Sequence, residues 1–98
     1  MLRQKVQTRM KQIKLTGRER SVLRVLDFSA GNTGVELLES SRLEADDLVT
    51  ALNSLMGPGF LEVEPYAEEV TIETFLAARF DINPSYAQEL RAAMAQRY

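Results

Sequence analysis

Apolar positions follow two different rhythms along this chain. From residue 16 to residue 56 they recur every three or four residues, the spacing of one face of a helix. From residue 60 onward they come in short runs, the later part alternating with polar positions, which is the spacing of a half-buried strand. The first rhythm is divided by local start and stop signals. Thr16-Gly17-Arg18-Glu19 has the form of a capping box, in which the threonine caps and the glutamate three residues on reaches back. It predicts a helix with Val22, Leu23, Val25, Leu26 and Phe28 inward, ended by Ser29-Ala30-Gly31-Asn32. Thr33-Gly34-Val35-Glu36 is a second capping box. It predicts a short helix over 35–40, with Val35, Leu37 and Leu38 inward and a turn around Ser41-Arg42. A third helix follows over 45–56, with Leu48, Leu52, Leu55 and Met56 on one side, and Gly57-Pro58-Gly59 stops it.

Phe60, Leu61 and Val63, then Val70 and Ile72, predict the two strands of a hairpin, with 65–69 as its loop. The segment 75–80 reads equally well as helix or strand. Asn83 or Ser85 can cap a last helix, and Pro84 suits its first turn. Tyr86, Leu90, Ala93 and Met94 form the apolar stripe of that helix. Upstream of the first capping box, Leu2, Val6, Met10 and Ile13 make a narrow stripe among basic and amide residues. The expected order is helix, helix, helix, hairpin, helix, a mainly α fold with a small β-hairpin.

Composition narrows the chemistry. With 98 residues the chain is expected to form a single domain over 1–98. It contains no cysteine and no histidine. Disulfides and thiolate metal sites are therefore impossible, and the commonest general base and metal ligand is missing. Asp46-Asp47 and Glu68-Glu69 are adjacent pairs, and neighbours on a helix diverge by roughly 100° rather than converge. No catalytic, cofactor or metal site is expected. The N-terminus lacks the apolar stretch of a signal peptide, and no apolar run reaches the ~18 residues of a membrane span. A cytoplasmic protein without membrane attachment is the expectation.

The net charge of −2 conceals a division. Residues 1–24 hold eight bases and one acid, whereas residues 25–78 hold eleven acids and one base, Arg42. Such a split is a solvated surface at each end, a basic arm folded on an acidic body, or a division of binding tasks.

The run Glu36-Leu37-Leu38-Glu39-Ser40-Ser41-Arg42-Leu43-Glu44 resembles the second helix and turn of bacterial winged helix-turn-helix regulators of the MarR and ArsR type. Leu48, Ala51, Leu52 and Leu55, followed by Gly59-Phe60-Leu61, look like their third helix and the start of the wing. The resemblance covers residues 16–74. It implies a winged-helix core there, beside the basic N-terminal helix or arm over 1–14 and the C-terminal helix over 84–98 read from their own patterns. It also implies a third helix in the DNA major groove and a wing on the phosphate backbone. The positions that would face the groove are Ala45, Asp46, Asp47, Val49, Thr50, Asn53 and Ser54, none of them basic. Glu44 and Arg42 stand where the family usually has a capping hydroxyl and a turn glycine. The wing carries Glu62, Glu64, Glu68, Glu69 and Glu73 and no base. DNA affinity comes from cations that displace condensed counterions at phosphates, and this surface would repel them.

The expectation is thus a non-enzymatic winged-helix module in a regulatory role, without cofactor. Asp46, Asp47, Thr50, Asn53, Ser54, Glu64, Glu68 and Glu69 would meet a protein partner with a basic surface. The alternative is a DNA-binding regulator, with Arg3, Lys5, Arg9, Lys11, Lys14, Arg18 and Arg20 as phosphate contacts. The terminal stripes would either join two copies as a homodimer or pack on their own domain.

Overall fold

The computed structural model describes residues 13–96. Its elements run α1 (Gly17–Val25), β1 (Asn32–Thr33), α2 (Gly34–Ser41), α3 (Ala45–Met56), β2 (Leu61–Glu64), β3 (Arg79–Ile82), a 3₁₀ turn (Pro84–Tyr86) and α4 (Ala87–Ala95). The three strands form one antiparallel sheet in the order β1-β3-β2. The result is a small α+β domain of four α-helices and a three-stranded sheet. Among the described residues, no helix is long and apolar enough to cross a membrane.

Both capping boxes form. Thr16 Oγ1 accepts from the Glu19 amide at 3.1 Å, and Glu19 Oε1 accepts from the Thr16 amide at 2.8 Å. Thr33 and Glu36 make the same exchange at 3.2 and 3.0 Å. These reciprocal bonds satisfy amides that a helix start otherwise leaves without acceptors. Each helix then buries its stripe: Val22 and Leu23 from α1, Leu37 from α2, and Leu48, Ala51, Leu52 and Leu55 from α3. Val63, Phe80 and Ile82 close the core from the sheet, and Leu90 from α4.

Several expectations need correction. The first helix ends at Val25, three residues early. Asp27 starts a tight turn instead, its carboxylate accepting from the Ser29 and Ala30 amides at 2.8 and 3.0 Å. Gly31 follows at φ 73, and a Cβ there would strike Asp81 and the Phe80 carbonyl. Phe28 consequently lies half-buried under Arg91, whose guanidinium carbon sits 4.7 Å from the ring centre. Val35 faces outward, 43% exposed, because its amide side is turned into the 71–78 segment.

The largest difference concerns the hairpin. Val70 and Ile72 form no strand; the partner of β2 is β3, beyond residue 74. The reason lies in backbone groups already taken. Asn53 occupies the N–H and C=O of Val70. Thr71 then opens a turn in which its carbonyl accepts from Phe75 at 2.9 Å. Phe75, 1% exposed, plugs the core, and the carbonyls of Ala78 and Leu76 receive the Gly34 and Val35 amides at 2.9 and 3.1 Å. The β2–β3 connection is therefore pinned to α3 and to the start of α2.

The α4 stripe packs on its own domain: Leu90 is fully buried, and Tyr86 and Met94 lie against the same core. Tyr86 also meets Phe60 edge-on, with ring centres 5.1 Å apart. The stripe of Leu2, Val6 and Met10 lies outside the described residues.

Candidate partner-binding face

Two surfaces carry the residues expected to bind. The first is the outer side of α3. Its helical phase puts Leu48, Ala51, Leu52 and Leu55 inward, so Asp46, Thr50 and Ser54 must face out, four residues apart on one line. The neighbouring side chains do not all remain available. Thr50 Oγ1 donates back to the Asp46 carbonyl at 3.0 Å. The Ser54 hydroxyl donates to Glu19 Oε2 at 2.6 Å, so the carboxylate that caps α1 also grips α3. Asp47 lies 3.4 Å from the Arg18 guanidinium. Asn53 departs furthest from expectation. Its amide donates to the Val70 carbonyl at 2.9 Å and accepts from the Val70 amide at 2.8 Å. A side chain that completes a backbone pair in this way ties α3 to the β2–β3 connection.

The second surface is an open groove of about 840 Å³ beside β2. It is lined by β2, by Met56, Gly57 and Gly59 at the end of α3, by Asn83 after β3, and by the start of the β2–β3 connection. Strand alternation places it so: Leu61 and Val63 are buried while Glu62 and Glu64 stand out to solvent. Pro65 then ends the strand, and Tyr66, Glu68 and Glu69 beyond it also line the groove. Tyr66 is 81% exposed. Among the described residues, the groove is lined by four glutamates and no lysine or arginine. Gly59 sits at its end with φ 90, a conformation that side-chain-bearing residues rarely adopt, and lets the chain leave α3 for β2. The sequence already singled out Glu64, Glu68 and Glu69; it missed Tyr66, read only as part of a loop. An aromatic ring flanked by Pro65 and by acids was the available signal.

The basic residues divide in the same way. Lys14 is exposed. Arg18 is exposed but shares its charge with Asp47. Arg20 is committed inside the domain, donating to the carbonyls of Ala93, Met94 and Gln96 at 3.0, 3.2 and 3.0 Å. It closes the C-terminal end of α4, where bare carbonyls and the helix dipole favour a cation. Arg3, Lys5, Arg9 and Lys11 lie outside the described residues.

Two carboxylates are held below the ordinary carboxylate pKa, both near β1 and away from the groove. Asp27 is lowered by the Ala30 and Ser29 amides, and Glu36 by the Asn32 side chain and the Thr33 amide. Both serve turns and caps. Among the described residues, no cluster of three or more carboxylates is arranged to hold a metal ion.

Compared with family models, with curated proteins and with solved structures, the chain matches none.

Proposed function

We propose that this chain is a non-enzymatic winged-helix binding module whose acidic face engages a protein partner of basic surface. The connectivity supports the winged-helix reading: α1, β1, the α2–α3 pair, then β2 and β3, with β1 beside β3. Arg42, at φ 64, makes the sharp turn between α2 and α3 that a helix-turn-helix requires. The observation that carries the functional reading is the groove beside β2, lined by Glu62, Glu64, Glu68 and Glu69 with no cation among the described lining residues. A surface of one sign attracts and orients a partner of the other sign and repels like charge, phosphate included. The outer side of α3 adds Asp46 to the same sign.

DNA binding is the competing reading. Its support within the described chain is thin: Arg20 is occupied by α4, Arg18 is shared with Asp47, and Asn53 is taken by Val70. The two readings separate in one titration series. The full chain is titrated with a fluorescent oligolysine peptide and with a random-sequence duplex DNA, each over rising salt. Peptide binding that weakens with salt, beside no duplex binding at low salt, is the expected result. Tight duplex binding with a steep salt slope, and no peptide binding, would overturn it.

A further inference from the structure

Among the described residues, the sheet order leaves one side of β2 without a strand, since β3 covers its other side. The hydrogen-bond phase of that open edge can be read from the ladder. Leu61 faces Ile82 and Glu62 faces Asp81, so Phe60 comes opposite Asn83, and the Asn83 amide donates to the Phe60 carbonyl at 2.9 Å. Antiparallel ladders alternate between bonded and non-bonded pairs. Glu62 and Glu64 therefore exchange their backbone bonds with β3, while Leu61 and Val63 turn their N–H and C=O toward the groove. The space in front of them, about 840 Å³, is of the size of a ligand cleft.

We propose that this groove takes an extended basic peptide, which adds to β2 as a fourth strand. The proposal rests on the protein-interaction reading above and specifies its partner. Main-chain bonds to Leu61 and Val63 would supply affinity, and side chains would supply selection, as in other strand-addition interfaces. The register dictates the pattern. Peptide residues opposite Leu61 and Val63 lie over the buried face and should be apolar. Residues opposite Glu62 and Glu64 lie on the solvent face and should be lysine or arginine, since opposite charges across strands attract. Glu68 and Glu69, which also line the groove, add to the same field.

Two features favour a cation-bearing strand over any other. Glu62 stands directly opposite Asp81, a like-charge pair across the ladder, with Arg79 3.9 Å from Asp81 and opposite Glu64. A cation on the free side of Glu62 relieves the like-charge pair. A second copy of β2 is selected against, because edge-to-edge pairing would set glutamate against glutamate, a usual protection of exposed edges.

The test uses the full chain, isotope-labelled, and a blocked heptapeptide of alternating lysine and valine that begins and ends with lysine. A second peptide carries N-methyl groups on its valines, which removes the N–H groups that would face β2 and leaves the charge unchanged. The first peptide is expected to shift the Leu61 and Val63 amides and slow their hydrogen exchange at least tenfold. The N-methylated peptide and the variant E62K/E64K should each weaken binding at least tenfold, and E62Q/E64Q serves should the lysine variant fold poorly. Equal binding of both peptides overturns strand addition and leaves the protein-interaction reading standing. Unchanged affinity in both glutamate variants overturns the proposed register. If neither peptide perturbs the groove, both readings fall.

Discussion

Asn53 and Val70 are joined by two hydrogen bonds that run in opposite directions, amide to carbonyl at 2.9 Å and amide to carbonyl oxygen at 2.8 Å. Val70 is 4% exposed, and both of its backbone groups bond to the Asn53 side chain. Asn53→Ala removes both partners at once. A buried donor or acceptor left unmade costs about 1–3 kcal/mol. We expect the variant to lose stability of that order in urea unfolding. The Val70 amide should exchange faster than the Leu52 amide in the same sample. An unchanged midpoint would mean that the connection is held by Phe75 alone.

Arg42 sits at φ 64, where a side chain crowds the following carbonyl. Glycine meets no such cost there, though it gives back part of the gain through a more flexible unfolded chain. Arg42→Gly should therefore stabilise the fold by about 0.5–1 kcal/mol, read as a higher melting temperature. Arg42→Ala should not.

Gly34 is the first residue of α2 and lies beneath the Phe75 carbonyl, where an added Cβ would collide with backbone. Gly34→Ala must push the 71–78 segment away from the helix, and a loss of about 1–3 kcal/mol is expected from such overpacking. Gly17 opens α1 in the same position, but a Cβ there meets nothing within 4 Å. Gly17→Ala is the matched control and should leave stability unchanged within about 0.5 kcal/mol.

Acid should weaken the fold through Asp27 and Glu36. Hydrogen bonds to their charged forms lower both pKa values in the folded chain. Their contribution is therefore complete above the unfolded carboxylate pKa, about 4, and is lost as pH falls through the lowered folded values. Urea midpoints followed from neutral pH downward should drop across that window. The double variant Asp27→Asn, Glu36→Gln keeps the shapes without the titration, and its acid slope should be shallower. Identical slopes would place the acid sensitivity elsewhere.

Arg20 holds the last carbonyls of α4 from α1. Arg20→Met keeps the apolar stem and deletes the donors. Bonds from charged groups contribute about 1.5–3 kcal/mol, with a discount for the part of this guanidinium that meets water. The expected signature is local: faster amide exchange in α4, with the α1–α3 contact unaffected.

The elements whose causes are local were legible in the sequence. Thr16 with Glu19 and Thr33 with Glu36 lie three residues apart, and both boxes form as read. The boundaries of α3 follow equally from its stripe and the Gly57-Pro58-Gly59 stop. What escaped was set by distant partners. Val70-Thr71-Ile72 alternates like a strand, but its first backbone groups belong to Asn53, seventeen residues away. Arg79-Phe80-Asp81-Ile82 has only two apolar positions among charges, and it is a strand because β1 and β2 flank it on both sides. A two-residue strand such as β1 leaves no periodicity to detect. On the candidate face, the acids were visible as composition. The open edge they surround was not, because it exists only once β3 has chosen its side.

Thr33 ends β1 and, with the same side chain, caps α2. A chain segment that belongs to two elements cannot leave one without disturbing the other. Peeling β1 from β3 would uncap α2 and strip the Ala78 and Leu76 carbonyls of the amides they accept from Gly34 and Val35. The outer strand and the second helix should therefore form a single cooperative unit, opening together with one free energy rather than fraying in sequence. Native-state hydrogen exchange would display it as one shared isotherm for the slowly exchanging amides of α2 and for the Phe80 amide, which faces β1.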